Sequence, residues 1–417
     1  MFCKIVRTLL LFLVLLITLI SQLLLLLNVE KRYKYDNDGM IGTGTGFNTT
    51  TTGLEKEQKQ NTRGVEFSMC TIVKNEKNNL LEWTAYHYYM INMRHLVLCD
   101  DLNSVTSPHQ ILNNWKEVIK IDIWGVDEFS PPRIINNDTT YKSYETRQLH
   151  CLRKCMHHFK QHNRTWVAFI DADEYLAFNP VAEDDDKCMF KKSKNVSSAS
   201  AFEIVYDNKR KCEVRNLRDD NKTISMEFWK KRLVLPSPES KTIAEYMQGE
   251  NDIWNKLNCH VLPRLLFGGS QEKDAARLNR YIPPGFHAEN FTTLSFFRHG
   301  RKGFYFDNRW GKCIVDVSRM DIIRFRTPHY LAPGCGELKQ GWVEHDISLL
   351  RVNHYLGSKK LFLSKDDPRR SEEMFRKRST ASRVVNYEMQ GWLPKFVDLV
   401  GEEQAVKLLD GVGGINV

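Results

Sequence analysis

The chain reads as an α/β protein built on a mostly parallel sheet with helices on both faces. Two observations point there. Short apolar runs alternate with stretches of helical periodicity, in the order β-α-β-α-β-α-β, between Phe67 and Asp171. Such alternation marks strands joined by crossover helices. Three of the four runs also end in polar or acidic clusters, at Lys74–Glu76, Asp100–Asp101 and Asp171–Glu174. In an open parallel sheet the carboxyl ends of the strands share one edge, and ligands bind beyond it.

The elements follow in order. Ser68–Val73 is the first strand, broken by Lys74, Asn75 and Glu76. A helix follows, with Asn79 as a candidate cap and Glu82 three residues on, as in a capping box. Leu80, Trp83, Tyr86, His87 and Met90 recur at helical spacing, which makes His87 a packing residue. His95–Cys99 is the second strand, Ile111–Trp115 a short helix and Val118–Ile123 the third strand. Tyr144–Lys160 is a helix, and Trp166–Ile170 the fourth strand. Beyond Leu176 the pattern loosens. Ser200–Val205 reads as a strand, Lys209–Phe267 as polar, irregular loops, and Gly311–Phe325 and Leu349–Tyr355 as short apolar runs. Glu372–Trp392 and Glu402–Leu409 read as closing helices, and no internal repeat is found.

Ahead of this lies Thr8–Leu27, a Leu-rich run with no charge. Its length matches the roughly 20 residues that span a bilayer as a helix. It is longer than a signal-peptide core of about 7–15 residues, so an uncleaved signal anchor is expected. Lys4 and Arg7 before the run balance Lys31, Arg32 and Lys34 after it, so charge alone does not orient it. Six N-glycosylation sequons follow, at Asn48, Asn137, Asn163, Asn195, Asn221 and Asn290. Nine of the ten cysteines also follow it. Both features suit an oxidising lumen. An odd count leaves at least one thiol outside intrachain pairs, and the absence of any Cys-x-x-Cys argues against a zinc site. Tyr33–Val65, rich in Gly, Thr, Asn, Lys and Gln, reads as a flexible stem.

The formal net charge is +9 over 417 residues, with basic residues scattered and no Lys/Arg run. That argues against a nucleic-acid partner. A basic surface still draws in a nucleotide diphosphate.

The sharpest motif is Trp166-Val-Ala-Phe-Ile-Asp171-Ala-Asp173-Glu174-Tyr-Leu176. An apolar strand runs into two carboxylates spaced i, i+2, which can turn toward one point. A hard divalent ion takes such oxygen ligands and completes its shell with phosphate and water. A solvated turn whose carboxylates cap a helix is the plainer reading. A haloacid-dehalogenase-type phosphatase uses a similar pair, but on its first strand and with a small residue and Thr or Val after the second Asp. Here Glu174 and Tyr175 follow, on a fourth strand.

With these motifs in place, the chain resembles a GT-A-type glycosyltransferase of the family 2-like group, closest to family 92. The matching pieces are Val73-Lys-Asn-Glu76, Leu81-Glu-Trp83 with Tyr86-His87, His95-Leu-Val-Leu-Cys-Asp100, Trp166–Leu176 and Arg351-Val-Asn-His354-Tyr355. They span roughly Phe67 to Lys365 in the family's order. Departures are Cys99-Asp100-Asp101 where the family has Tyr-Asp-Asn, and Ser104-Val-Thr106, which lacks a second Asp.

The resemblance implies a GT-A-like, Rossmann-type fold and a set of roles. Asn75 and Glu76 meet the nucleotide, and Asp100 with Asp101 receives hydrogen bonds from ribose or uracil. Asp171 and Asp173 hold a divalent metal, manganese being the expected ion, and His354 folds back onto the metal or the diphosphate. His329, in Pro328-His-Tyr330, is a weaker candidate for the same role. Inverting transfer needs a base for the acceptor hydroxyl. Glu344 and Asp346 are the candidates, whereas a retaining enzyme would need none.

The expected protein is an inverting hexosyltransferase that moves galactose from a metal-bound UDP-sugar to a glycan acceptor. Two alternatives stay open: a transferase with another donor, and a membrane-anchored relic that binds glycans without turnover. The expected layout is a cytoplasmic tail over 1–7, an anchor over 8–27, a stem over 28–65, a GT-A-like domain over 66–365 and a C-terminal helical extension over 366–417. The expected location is the Golgi membrane, single-pass type II, with the catalytic domain in the lumen.

Overall fold

The computed structural model describes residues 65–412 apart from 103, 132–140, 181–187, 193–201, 207–230, 233, 238–239, 251–253, 255–257, 269–281, 301–307, 309, 321–324, 328, 332–347 and 365–369. It opens with the expected alternation. β1 (Phe67–Val73) leads through helix α1 (Lys77–Met90) to β2 (Met93–Asp100). A short helix, Pro108–Ile111, and a 3-10 turn, Asn113–Glu117, precede β3 (Lys120–Trp124). The long helix α2 (Tyr141–Gln161) then returns the chain to β4 (Trp166–Phe169).

β4 lies on the far side of β1, so the strand order reads β3-β2-β1-β4 and reverses direction between β1 and β4. All three of these pairings are parallel. Alternate residues of the strands face opposite sides, as the pleat requires. Met69, Leu96 and Leu98 pack with α1, while Cys70, Val97 and Cys99 pack with α2. Helices therefore cover both faces.

The rest of the chain departs from one mostly parallel sheet. After β4 the chain enters β5 (Glu174–Phe178), then the hairpin of β6 (Cys188–Lys192) and β7 (Phe202–Tyr206). Next come β8 (Cys259–Leu262), β9 (Arg264–Phe267), β10 (Arg298–Gly300) and β11 (Lys312–Asp316). β12 (Phe325–Thr327) pairs with β13 (Tyr330–Leu331), and β14 (Leu350–Tyr355) follows. β11 and β8 extend the first sheet, with β11 antiparallel to β4. A second sheet has the order β15-β10-β9-β14-β5, where β15 is Ser382–Val385. The fold is thus mixed α/β with two sheets. Lys209–Phe267, expected as loops, contributes two fully buried strands, β8 and β9, each only four residues long. Runs this short, split by Pro263, show no period to read.

Towards the C-terminus, Glu372–Ala381 is helix α3 and ends in β15 rather than running on to Trp392. Helices α4 (Trp392–Val400) and α5 (Glu402–Leu409) add Trp392, Leu393, Phe396, Leu408 and Leu409 to the same core as Leu80, Trp83 and Tyr86 of α1. Trp115 Nε1 donates to the Leu408 carbonyl across 2.9 Å.

The anchor expectation is corrected. Among the described residues no helix is long and apolar enough to cross a membrane. The helix with sufficient length, the 21-residue α2, carries Glu145, Arg147, Arg153 and Lys154, and such charges are costly in a bilayer core. Thr8–Leu27, the tail over 1–7 and all but the end of the stem lie outside the described residues. The membrane as partner, the signal anchor and the type II Golgi placement are therefore withdrawn.

Candidate functional site

Val73 at the end of β1 pairs in register with Asp100 at the end of β2, and β1 pairs with β4 up to Phe169. The three polar clusters thus share one edge. Asp171 and Asp173 stand beside β1, where the strand order reverses. That is the position at which open α/β sheets leave a crevice for ligands.

Asp171 is held from three sides. Lys312 Nζ donates to Oδ2 across 2.7 Å, Gln148 Nε2 to Oδ1 across 3.2 Å, and the Trp83 indole to the Asp171 carbonyl across 3.1 Å. Its side chain is about one-third exposed, whereas that of Lys312 is 1% exposed. Burial raises the Asp171 carboxyl, but Lys312 and then His329 pull it back and the net direction is down. Glu174 turns inward. It accepts from the Asp171 N–H at 3.0 Å and lies 3.4 Å from Lys312 and 3.7 Å from Arg264. Burial pushes it up to about 7, with Lys312 pulling the other way.

The ladder between β5 and β14 brings His354 to the same place. His354 pairs in register with Glu174, and Tyr355 N–H donates to the Asp173 carbonyl at 2.9 Å. His354 Nε2 then lies 3.7 Å from Asp173 Oδ1, and Arg370 lies 3.7 Å from Oδ2. Burial lowers the imidazole, although Asp173 raises it. Its Nδ1 is buried without a hydrogen-bond partner. Arg351 and Asn353 alternate onto the opposite face of β14, where both bond Glu388. The motif thus divides into two structural residues and one that faces the carboxylates.

The other expected residues fall as follows. Asn75 takes a left-handed backbone, φ +56°, and its Oδ1 accepts from Val105 N–H at 2.6 Å. Glu76 accepts from Asn79 at 2.9 Å and is the N-cap residue of α1 without a side-chain capping bond. Asp100 has a buried Oδ1 without a partner, and burial raises its carboxyl. Asp101 is engaged by Arg147 through both oxygens, at 2.6 and 2.9 Å, which leaves Asp100 as the more open acceptor. His87 is fully buried, bonded to the Trp83 carbonyl and the Leu176 N–H, as a packing residue should be. Glu82 caps no part of its own helix. It accepts from Thr292 N–H, Thr293 N–H and the Thr293 hydroxyl, and so holds the short helix Thr292–Ser295. His329 is half-buried, and desolvation first and then Lys312 push it down to about 3. Glu344 and Asp346 lie outside the described residues.

Lys312, Arg264, Arg370 and Gln148 are site residues that the sequence reading missed. Lys312 opens the apolar strand β11, and a lysine heading a buried strand is a signal that could have been read.

Two groups among the described residues bring ligand atoms close enough to hold a metal ion: Cys70, Cys99, Cys151 and Cys155, and His95, Asp122 and His158. The four cysteines form the disulfides Cys70–Cys155 and Cys99–Cys151, which tie α2 to β1 and β2. In that state they offer no thiolate. Asp171, Asp173 and His354 do not close into such a group.

No protein-family model matches the chain, and no curated protein matches it either.

Proposed function

We propose that the chain is a glycosyltransferase that takes a sugar from a nucleoside-diphosphate donor, a hexose from a UDP-sugar in the first instance. One observation carries the reading. The carboxylates of Asp171 and Asp173 end a buried parallel strand at the reversal of strand order, with His354 drawn against Asp173 from the second sheet.

Asp173 and His354, with Asp171, would hold a divalent ion, manganese being the first to try. When bound, such an ion supplies positive charge to the departing diphosphate. Arg370, Lys312 and Arg264 add fixed positive charge behind the carboxylates. Asp100 and Asn75, at the ends of β2 and β1, offer acceptors to ribose and base. In the reaction an acceptor hydroxyl oxygen bonds to the anomeric carbon, and the bond from that carbon to the phosphate oxygen breaks. The nucleoside diphosphate leaves with the electron pair, and in an inverting enzyme the hydroxyl proton passes to a carboxylate base, with Glu344 and Asp346 as candidates.

A second reading, sugar binding without turnover, is favoured by one contact: Asp171 is held by Lys312 rather than left open. The assay that separates them is UDP release from a panel of UDP-sugars, UDP-galactose included, with added manganese and with chelator. Metal-dependent UDP release supports transfer. Saturable binding with no UDP release from any donor supports the second reading and overturns the first.

A further inference from the structure

A second constellation lies toward the opposite end of the sheet. His95 is near the start of β2, five residues before Asp100. At about 3.3 Å per residue that is some 16 Å from the carboxyl edge. His95 Nε2 lies 2.6 Å from Asp122 Oδ2 on β3, and His158 Nε2 on α2 lies 3.0 Å from the same oxygen. Two strands and a helix thus direct three ligand atoms at one point.

A third imidazole stands beside this group. His162 follows His158 by four residues at the end of α2, and their ring centroids are 4.2 Å apart; that of His95 is 5.9 Å from His162. His162 Nδ1 lies 2.8 Å from the His158 carbonyl. A carbonyl only accepts, so Nδ1 carries the proton and Nε2 keeps its lone pair. A backbone carbonyl on the far nitrogen is the usual way a metal-binding histidine is oriented. Two histidines at i, i+4 share one helix face, as in helical zinc motifs.

We propose that His95, Asp122 and His158 form a zinc site that steadies the β2–β3–α2 corner, separate from the proposed donor site, with the neighbouring His162 turning in as the fourth ligand. Three imidazoles and one carboxylate suit zinc, which takes four such ligands in a tetrahedron. Bond lengths of about 2.0–2.2 Å put tetrahedral ligand atoms roughly 3.3 Å apart. The two His–Asp separations are a few tenths of an ångström below this, so Asp122 must retreat slightly. It has room, because Asp122 is 28% and His158 19% exposed, while His95 is fully buried. On binding, the ring protons of His95 and His158 occupy Nδ1. The competing cation is Lys120, 3.8 Å from Asp122 and 43% exposed, which can swing into solvent.

The test is calorimetric titration of the chelator-treated full chain with zinc chloride, alongside Asp173→Ala and the double variant His158→Gln/His162→Gln. One zinc per chain is expected, unchanged in Asp173→Ala and at least about 10-fold weaker in the double variant. Cobalt(II) should give the intense visible bands of a four-coordinate ion in the wild type and not in the double variant. No zinc binding by the wild type, or binding undiminished in the double variant, overturns the proposal. If circular dichroism shows the double variant unfolded, Asp122→Asn is read in its place with the same outcomes. Zinc binding lost in Asp173→Ala but kept in the double variant also overturns it, and assigns the metal to the other edge.

Discussion

Lys312 Nζ sits 2.7 Å from Asp171 Oδ2 with 1% of its own side chain exposed, so a buried cation props an acidic strand end from beneath. Burial alone would lower the ammonium, but Asp171 and Glu174 more than offset it and hold it charged. Lys312→Met should leave Glu174 in the interior, and the partly exposed Asp171 beside it, without that cation. Removing one partner of a buried pair costs about 3–5 kcal/mol. Urea unfolding should show a loss of that order. A stability within about 0.5 kcal/mol of wild type would mean that Lys312 does not hold the site together.

Two buried acids give stability a pH dependence. Burial pushes Glu82 and Glu174 up to about 7 from 4.5. Between these values the folded state binds more protons than the unfolded one, so stability falls as pH rises. Their contribution is complete below about 4.5 and gone above about 7, each tenfold change in proton affinity being worth about 1.4 kcal/mol. Glu82→Gln also loses acceptor capacity toward Thr292 and Thr293, so it should be less stable throughout. Its decline between about pH 5 and pH 7 should be shallower than wild type. Parallel slopes in the two proteins would show that Glu82 does not titrate there.

Asp173→Ala should abolish donor turnover while the fold survives, because it removes a proposed oxygen ligand but keeps the main-chain bond from Tyr355 N–H to the residue 173 carbonyl. Far-ultraviolet circular dichroism and UDP release are read on one sample. Manganese-dependent release at the wild-type rate would remove the Asp pair from the metal.

His354→Ala separates chemistry from packing. As a group facing metal or diphosphate, its loss should cut turnover strongly with little change in melting temperature. As a packed core residue, its loss should cost about 1–3 kcal/mol, with activity lost only in proportion to unfolded protein. A destabilised variant with normal specific activity in its folded fraction would take His354 out of the site.

What the sequence discloses depends on period and on partners. β1, α1, β2, α2 and β4 were legible to within a few residues because apolar spacing is local and each element is long enough to show it. The Asp171–Asp173 pair was legible for the same reason, as polar residues ending an apolar strand. Lys312 and Arg264 were not, because their meaning comes from carboxylates far away in the chain. Glu82 was misread as a local cap, since its donors lie 210 and 211 residues away. Nothing local reveals that Arg147 engages Asp101. The His95–Asp122–His158 group went unnoticed for a related reason. The lack of a Cys-x-x-Cys speaks only to thiolate sites, and these ligands come from three separate elements.

The bond from Trp115 to Leu408 has a consequence for how the molecule is made. The two residues are 293 positions apart, so on the ribosome the first emerges long before the second exists. Until α4 and α5 are translated, the side of α1 that meets them is an open apolar surface carrying Tyr86 and Tyr88, which pack against Trp392 and Phe396. Nascent intermediates with such surfaces are prone to aggregate. The β1–β4 half can form its strand pairs during synthesis, but it cannot bury that face alone. Closure of this half therefore waits for α4 and α5, and until then the growing chain is a natural client for chaperones that shield apolar patches.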